Sequence, residues 1–185
     1  MDQLDLVDRA ARGDRAAFAE LATGHIDRCF ALAVRILRDR DRAQDATQQA
    51  LLGAWRDLPT LREPERFDAW LYRLVVHACY TEARGTRRWN ARIRLHPISN
   101  DPAPDPAHAV VDRAGLEDAF AQLTPEQRAV VVLHHHHGYP LTEIAGILGI
   151  PVGTARSRLF YAVRQLRTVL DGDLETAVTT GERSA

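Results

Sequence analysis

The chain has 185 residues, of which 45% are hydrophobic and 26% are charged. This composition allows a buried core, and the length fits one large domain or two small ones. The 24 cationic side chains are all arginine and face 25 acids, so the formal net charge of −1 excludes a uniformly basic nucleic-acid coat. Any binding to phosphate must therefore come from local arginine clusters.

The sequence shows no export or membrane signal. No apolar run reaches the roughly 18 to 20 residues that a membrane span requires, and the acidic, polar start MDQLDLVDRA is unlike a secretory signal. The two cysteines, Cys29 and Cys79, do not predict a disulfide framework and fit a reducing compartment. We expect a cytoplasmic chain with no membrane insertion.

The predicted elements of the first half are helices. Apolar residues recur every three to five positions from Phe18 to Leu37, from Ala46 to Leu58 before Pro59, and from Phe67 to Ala78. No stretch alternates apolar and polar residues for long enough to predict a strand. The sequence therefore predicts an all-α fold.

Charge and proline divide the chain into modules. Residues 84–94 carry arginines and no acid, and four prolines fall within residues 97–106. We predict a helical module over 1–94, a flexible Pro-rich linker over 95–111, a second helical module over 112–171 and a frayed polar tail over 172–185. Because such a linker buries too little apolar area to offset the entropy of ordering it, we expect loosely held modules.

The second module has the spacing of a helix-turn-helix. Thr124 and Gln127 are placed as a capping box around Pro125, and LTEIAGILG ends at Gly149, where a left-handed residue is needed. A third helix is predicted from about Gly153 to Leu170. On spacing alone, an ordinary helical hairpin is the alternative.

The composition of this third helix favours DNA binding. Its apolar residues share one arc at about 100° per residue, and its opposite side carries Ser157, Tyr161 and Arg164. No acid occurs between residues 144 and 170. Arginines beside hydroxyls and aromatic rings suit phosphates and base edges in a major groove.

The first module interleaves arginines with aromatic residues. Arg73 and Arg84 lie near Trp70 and Tyr72, a combination that supplies stacking surfaces and backbone charge for unpaired DNA. The alternative is that these rings belong to the core. We expect Trp55 and Trp70 to be core residues, and Trp89 to be exposed.

The tract His134–His137 suggests metal binding, but consecutive helical residues point about 100° apart and cannot all ligate one tetrahedral ion. His134 and His137 could share a face, yet no further ligand is placed to complete the shell. We therefore expect a solvated helix end and no metal or other cofactor.

Together these motifs resemble a sigma factor of the sigma-70 family, in its compact extracytoplasmic-function group. DRAQDATQQALLGAW is similar to the core-polymerase-binding segment, and RFDAWLYRLVVHACYTEARGTRR to the segment that melts and reads the −10 element. LTPEQRAVVVL and LTEIAGILGIPVGTARSRLFYAVRQLR are similar to the −35-binding domain. The modules would then be sigma domains 2 and 4.

The resemblance implies a transcription initiation factor that directs the RNA polymerase core to promoters, with all catalysis supplied by the core. The implied partners are the coiled coil of the largest polymerase subunit, the flap of the second-largest subunit, promoter DNA and an anti-sigma factor, which could hold the chain at the membrane. The expected core-binding residues are Asp45, Gln48, Gln49 and Arg56. The expected −10 contacts are Arg62, Glu63, Pro64, Tyr72, Arg73, Val76, His77, Arg84, Arg87 and Arg88. The expected −35 contacts are Gly153, Thr154, Arg156, Ser157, Arg158, Phe160, Tyr161 and Arg164.

Three positions depart from the family pattern. Members commonly have Asn at His77, Asp near Thr81 and a basic residue at Tyr161, so promoter specificity is expected to differ. The alternative function is a one-component helix-turn-helix repressor that acts without polymerase. An enzyme is disfavoured because no phosphate-cradling glycine loop, metal-ligand spacing or nucleophile elbow occurs.

Overall fold

The computed structural model describes residues 2–93 and 111–181, with side chains placed for 2–85 and 117–168. The regular structure of these residues is helical, and they contain no β-strand, which confirms the all-α prediction. The helices are α1 Gln3–Ala11, α2 Arg15–Leu37, α3 Arg40–Asp57, α4 Phe67–Ile93, α5 Val111–Gln122, α6 Pro125–Val131, α7 Leu141–Leu148 and α8 Val152–Gly181.

Local capping fixes where the first helices begin. The Asp14 carboxylate accepts hydrogen bonds from the backbone N–H groups of Ala16 and Ala17, and it also pairs with Arg9 at 2.7 Å. Asp39 accepts from the N–H of Arg42 at the start of α3. Each cap satisfies backbone donors that have no partner within the helix.

The first module is a bundle in which α3 packs against α2 and α4. The face of α3 that enters the core is built almost entirely of alanine: Ala43, Ala46, Ala50 and Ala54 are all at most 3% exposed. Small side chains at this spacing let α2 and α4, which bury larger residues such as Ile36 and Leu71, pack closely against α3.

The second module contains the predicted helix-turn-helix. The Thr124 hydroxyl accepts from the N–H of Gln127, whose side chain accepts from the N–H of Thr124, so the capping box is confirmed. Gly149 ends α7 with φ of 64°, as its position predicted. The third helix, α8, continues to Gly181, beyond the predicted end near Leu170, so the prediction of a frayed tail is wrong for residues 172–181.

The two modules pack against each other, so the expectation of loosely held modules is wrong for this arrangement. Helices α2 and α4 contact α6 and α7, and one continuous apolar cluster includes residues of both modules. The Tyr72 ring contacts those of His137 and Tyr139, with centroids 4.7 and 6.1 Å apart. Residues 95–110 of the predicted linker lie outside the described residues.

Both cysteines are buried in the first module. Cys29 on α2 and Cys79 on α4 are 0% exposed and unpaired, and desolvation raises the pKa of each thiol to about 12. Within the described residues, no helix is long and apolar enough to cross a membrane.

Candidate nucleic-acid and protein interfaces

One face of α3 gathers the predicted polymerase contacts. Asp45, Gln48, Gln49 and Arg56 are all exposed, and at about 100° per residue they fall within one arc opposite the alanine face. Leu52 lies in the middle of this arc and is 70% exposed, although the sequence analysis did not single it out. The helical repeat itself places Leu52 on the polar side of α3, opposite the alanine face. Leu52 therefore adds an apolar side chain to an otherwise polar exposed arc.

The loop between α3 and α4 presents the first predicted −10 residues. Arg62 and Glu63 are exposed and Pro64 is half-buried, while Glu63 pairs with Arg66 at 3.2 Å. A cleft of about 290 Å³ lies between this loop, α4 and α7 of the second module. Its lining residues are Leu61, Arg62, Glu63, Arg66, Ala69, Trp70, Arg73, Gly146 and Ile147.

The remaining residues predicted to contact the −10 element lie on α4, where some are exposed and others are buried. Arg73, His77 and Arg84 are exposed. Tyr72 and Val76 are only 4% and 2% exposed, so neither can contact DNA in this arrangement. Burial raises the pKa of Tyr72 to about 12. The side chains of Arg87, Arg88 and Trp89 lie outside the described residues, although α4 extends through all three positions.

The tryptophans predicted for the core are half-buried. Trp55 packs on Phe18 with ring centroids 5.0 Å apart, and Trp70 packs on Phe67 at 6.0 Å while also lining the cleft beside the loop. Trp70 therefore joins the core to the predicted −10 surface.

The first turns of α8 present the predicted −35 residues. Gly153, Arg156, Ser157, Phe160, Tyr161 and Arg164 are exposed, whereas Thr154 and Arg158 are half-buried. The rings of Phe160 and Tyr161 meet edge to face and are 60% and 57% exposed. Large exposed aromatic rings beside arginines on a free helix face are suited to insertion into a major groove.

The histidine tract forms a π-helical turn, Val132–His136, which places its rings differently from a regular helix. The Nδ1–H of His134 donates to the Tyr139 carbonyl at 3.0 Å. His137 packs half-buried on Tyr72, so the expectation of a solvated helix end is wrong for this residue. Among the described residues, no cluster of three histidine, cysteine or acidic side chains is placed to hold a metal ion.

A groove of about 740 Å³ runs between the modules. Its apolar part is formed by Val34, Phe120, Val131, Val132 and Leu166, and its cationic or titratable part by Arg35, Arg38, Arg40, His135 and His136. Glu117, which also lines it, lies 3.8 Å from Arg38. We call this surface the junction groove.

Comparisons with known families match both modules. The family model Sigma-70 region 2 matches residues 21–89, and Sigma-70, region 4 matches residues 119–168. The chain is 34% identical over 168 residues to the ECF RNA polymerase sigma factor SigL of Mycobacterium tuberculosis, covering 89% of this chain and 94% of the relative. It is 33% identical to SigM of the same organism, over 94% and 87% of the two chains. The RNA polymerase sigma-H factor of Pseudomonas aeruginosa is 30% identical, over 85% and 88%.

Solved structures share the fold. Sigma factor RpoE of Bartonella quintana, in complex with the anti-sigma factor NepR, superposes with a TM-score of 0.67 at 22% identity and covers 83% of this chain and 96% of its own. CnrH, in complex with the cytosolic domain of CnrY, gives a TM-score of 0.63 at 26% identity over 92% and 98%.

Proposed function

The chain belongs to the sigma-70 family of RNA polymerase sigma factors, in the extracytoplasmic-function group, and on this premise we propose how its surfaces divide the work of promoter-specific initiation. It associates with RNA polymerase and directs it to promoters. We assign no catalytic step to the chain itself, because the polymerase core supplies the chemistry.

Helix α3 is the surface that we assign to the polymerase core. Its exposed arc of Asp45, Gln48, Gln49, Leu52 and Arg56 would dock on the coiled coil of the largest subunit. This arc is the observation that carries the proposal, because its side chains lie on the side of α3 opposite the alanine core face. Within the fold, Gln49 donates to Glu82 at 3.4 Å and Arg56 pairs with Asp57 at 2.7 Å, and both contacts leave the arc at the surface. The second module would contact the flap of the second-largest subunit.

The start of α8 is assigned to the −35 element. Arg156 and Arg164 are exposed, and none of the described acids pairs with either, so both guanidinium groups are available to bases or phosphates. The half-buried Arg158 is better placed to support the helix than to read a base. Tyr161, where the family usually has a basic residue, would offer a ring and a hydroxyl instead of a guanidinium.

Reading of the −10 element requires the modules to separate. Tyr72 and Val76 match the family's −10 segment but are buried, and the rings of His137 and Tyr139 of the second module pack on Tyr72. The packed arrangement is therefore assigned to a resting form, and its opening exposes the −10 face for melted DNA. Arg62 and Glu63 at the loop could meet DNA in either form.

An anti-sigma factor is the regulatory partner that we propose for the junction groove. The apolar floor and basic rim suit an amphipathic helix that carries acids beside its apolar stripe. A helix seated there would touch both modules and hold them closed. The chain itself would act in the cytoplasm, and its partner could hold it at the membrane.

The proposal is tested with Asp45→Arg, which reverses charge in the middle of the α3 arc. Because Asp45 is exposed, the helical circular dichroism should stay unchanged while binding to polymerase core falls by about tenfold or more. Asp27→Arg, which reverses a charge at an exposed position of α2, is the matched control. Normal core binding and normal transcription by Asp45→Arg would contradict the assignment of the α3 arc to the polymerase core.

The repressor alternative is separated by a gel shift on duplex promoter DNA. A sigma factor should give a specific promoter complex only when core polymerase is present. A repressor should bind the same duplex by itself as a dimer on a palindrome.

A further inference from the structure

Three polar side chains from three helices meet at the start of α4. The Asp68 carboxylate, in the first turn of α4, accepts a hydrogen bond from the Gln3 amide of α1 at 2.9 Å. It also accepts from the Nε2–H group of His25 on α2 at 3.0 Å, while Nδ1 of the same ring faces the Leu21 carbonyl at 2.8 Å. We call Gln3, His25 and Asp68 the α4 clamp.

The α4 clamp reaches into the core of the first module. His25 is 7% exposed, and its ring meets the 1% exposed ring of Phe67 edge to face, with centroids 5.2 Å apart. Replacing a buried polar pair by apolar residues is often neutral or stabilising. A polar network in this place is therefore better explained by the geometry that it specifies than by added stability.

The geometry that the clamp specifies is that of the loop between α3 and α4. The last turn of this loop, Pro64–Arg66, leads directly into α4, so Asp68 follows it by two residues. Helix α1 packs against this turn and against the turn Leu58–Thr60 at the other end of the loop. Because Gln3 ties α1 to the start of α4, the clamp holds together the elements on which both ends of the loop rest.

Contacts within the loop set its shape rather than its position on the bundle. The N–H of Leu61 donates to the Leu58 carbonyl at 3.0 Å, and the N–H of Arg66 donates to the Glu63 carbonyl at 2.9 Å. Both bonds join residues three positions apart. A link between the loop and the bundle must come from elements such as α1 and the start of α4.

A line of rings connects the clamp to the predicted −10 surface. The ring of Phe67, which contacts His25, packs on Trp70 with centroids 6.0 Å apart. Trp70 lines the cleft beside the loop together with Arg62 and Glu63. A shift of the clamp would therefore move the wall against which these two residues stand.

We propose that the α4 clamp positions residues 61–66 for reading of the −10 element, which makes Gln3, His25 and Asp68 positioning residues for promoter specificity. A recognition site discriminates well only when a supporting layer of packed, hydrogen-bonded side chains holds it in place. The effect on loop position is independent of the polymerase role. The effect on promoter choice rests on the proposed function.

Hydrogen–deuterium exchange of the free full chain tests the effect on the loop. In Gln3→Ala, exchange within residues 61–66 should become about two- to tenfold faster, the factor that corresponds to one hydrogen bond of ordinary net strength. Asp68→Ala removes the acceptor of both bonds and should give a larger increase. Asp68→Asn keeps an oxygen acceptor and should recover part of the protection.

Gln165→Ala is the matched control for Gln3→Ala. It removes another amide hydrogen bond between helices, from Gln165 on α8 to the Gln122 carbonyl at 3.3 Å, and should leave loop exchange unchanged. The amides of residues 43–54 on α3 report general destabilisation. Loop exchange that is unchanged in Gln3→Ala, or that rises only in parallel with that of α3, overturns the proposal. If Asp68→Ala fails to fold, Gln3→Ala alone decides.

Promoter discrimination tests the functional consequence. The probe is a promoter selected in vitro by the unaltered holoenzyme, compared with versions that carry one substitution in the −10 or the −35 element. In Gln3→Ala holoenzyme, the preference for the intact −10 element should fall by about two- to tenfold, while the preference for the intact −35 element should stay the same. A merely structural role would lower transcription from all of these promoters alike.

Asp8→Ala, which removes an exposed carboxylate from α1, is the control for this assay and should keep both preferences. An unchanged −10 preference in a chain whose loop exchanges faster contradicts the role in promoter reading.

Failure here and failure of the polymerase role are separable. If the unaltered chain does not bind core, the polymerase role fails, whereas loop exchange should still depend on Gln3. Conversely, Gln3→Ala should bind core normally, because the exposed arc of α3 is not part of the clamp.

Discussion

At the residue scale, the buried His25 and the half-buried His137 have opposite electrostatic surroundings. Both ring nitrogens of His25 face acceptors, the Leu21 carbonyl at 2.8 Å and the Asp68 carboxylate at 3.0 Å, so both hydrogen bonds form only when the ring is protonated. The hydrogen bond that His25 donates to Asp68 is the main cause that raises the pKa of His25, against desolvation and the charge of Arg28. In return, His25 lowers the pKa of Asp68.

His25→Gln should change how stability depends on pH. A raised folded-state pKa means that the stabilising contribution is full below the unfolded value of 6.5 and is lost as pH rises through the folded value. The unaltered chain should therefore lose stability relative to His25→Gln on the alkaline side, in unfolding temperatures measured across neutral pH. The exposed His135→Gln serves as the control. Parallel pH curves for His25→Gln and the unaltered chain would contradict the ion pair.

His137 has the reverse behaviour. Desolvation is the main cause that lowers its pKa, helped by His136, Arg35 and Arg28, and its buried Nε2 has no hydrogen-bond partner. Its neutral form therefore stabilises the packing on Tyr72, and that contribution is lost as pH falls through the folded-state pKa. Tyr72 and Tyr139, which also face this ring, stay neutral over the same range because burial raises the pKa of each.

The expected result is that acidification separates the modules before it unfolds them. In the unaltered chain, small-angle scattering should show expansion as pH falls below the ordinary histidine pKa of 6.5, whereas His137→Phe should stay compact to lower pH. Expansion at the same pH in both chains would show that another group controls the change.

Residue identity predicted which charged side chains would be exposed, but it did not predict all of the residues that are buried. Arg62, Arg73 and Arg156 are exposed as their charge suggested. Tyr72 and Val76 were expected at a DNA surface, yet both are buried, and rings of the second module pack on Tyr72. Periodicity within one module cannot reveal a face that is buried by another module distant in the chain.

At the scale of elements, α8 separates a structural face from a recognition face. Ala155 and Ala162 are 0% exposed against the rest of the module, while Arg156 and Arg164 point to solvent. This division followed from the sequence because an amphipathic helix repeats every 3.6 residues. The capping box and Gly149 were predictable for the same reason, since each depends on neighbouring residues only.

Arg156→Ala should weaken recognition of the −35 element by about 1–3 kcal/mol if the guanidinium reads a base. If it meets only phosphate, binding to all sequences should weaken alike and the salt dependence should flatten. Holoenzyme affinity for matched and mutated −35 sites measures the difference, with Arg12→Ala on the first module as control. Unchanged affinity and unchanged salt dependence would exclude a DNA role for this residue.

Helix ends were less predictable than helix existence. Helix α1 was not predicted, and α4 and α8 extend well beyond their apolar patterns, to Ile93 and Gly181. Neither extension contains a proline, so the backbone hydrogen bonds of the helix continue although the apolar pattern has already ended.

At the scale of the whole molecule, the packing of the modules was the feature that the sequence did not reveal. A flexible linker predicts independence, but Ile144 and Ile147 of the second module join the apolar cluster of the first. Apolar burial of this kind is worth about 25 cal/mol per Å², which can outweigh the modest entropy of closing a linker loop.

Locking the modules together should prevent promoter opening. Ala69 and Gly146 line the same cleft from opposite modules, so Ala69→Cys with Gly146→Cys offers two sites for a short bismaleimide cross-link. The cross-linked chain should lose transcription from its promoter, and the same variant without reagent should keep it. The unaltered chain treated with reagent is the control. Full transcription by the locked chain would show that separation is unnecessary.

The burial of Cys29 and Cys79 makes the two thiols natural reporters of transient opening of the first bundle. Thiol reagents attack the thiolate, which is scarce at neutral pH for groups with a pKa of about 12, and the fold shields both sulfur atoms. Each labelling event must therefore follow an excursion that exposes the interior of the first bundle. The rate of thiol labelling under native conditions therefore measures how often the first bundle opens, without any engineered reporter.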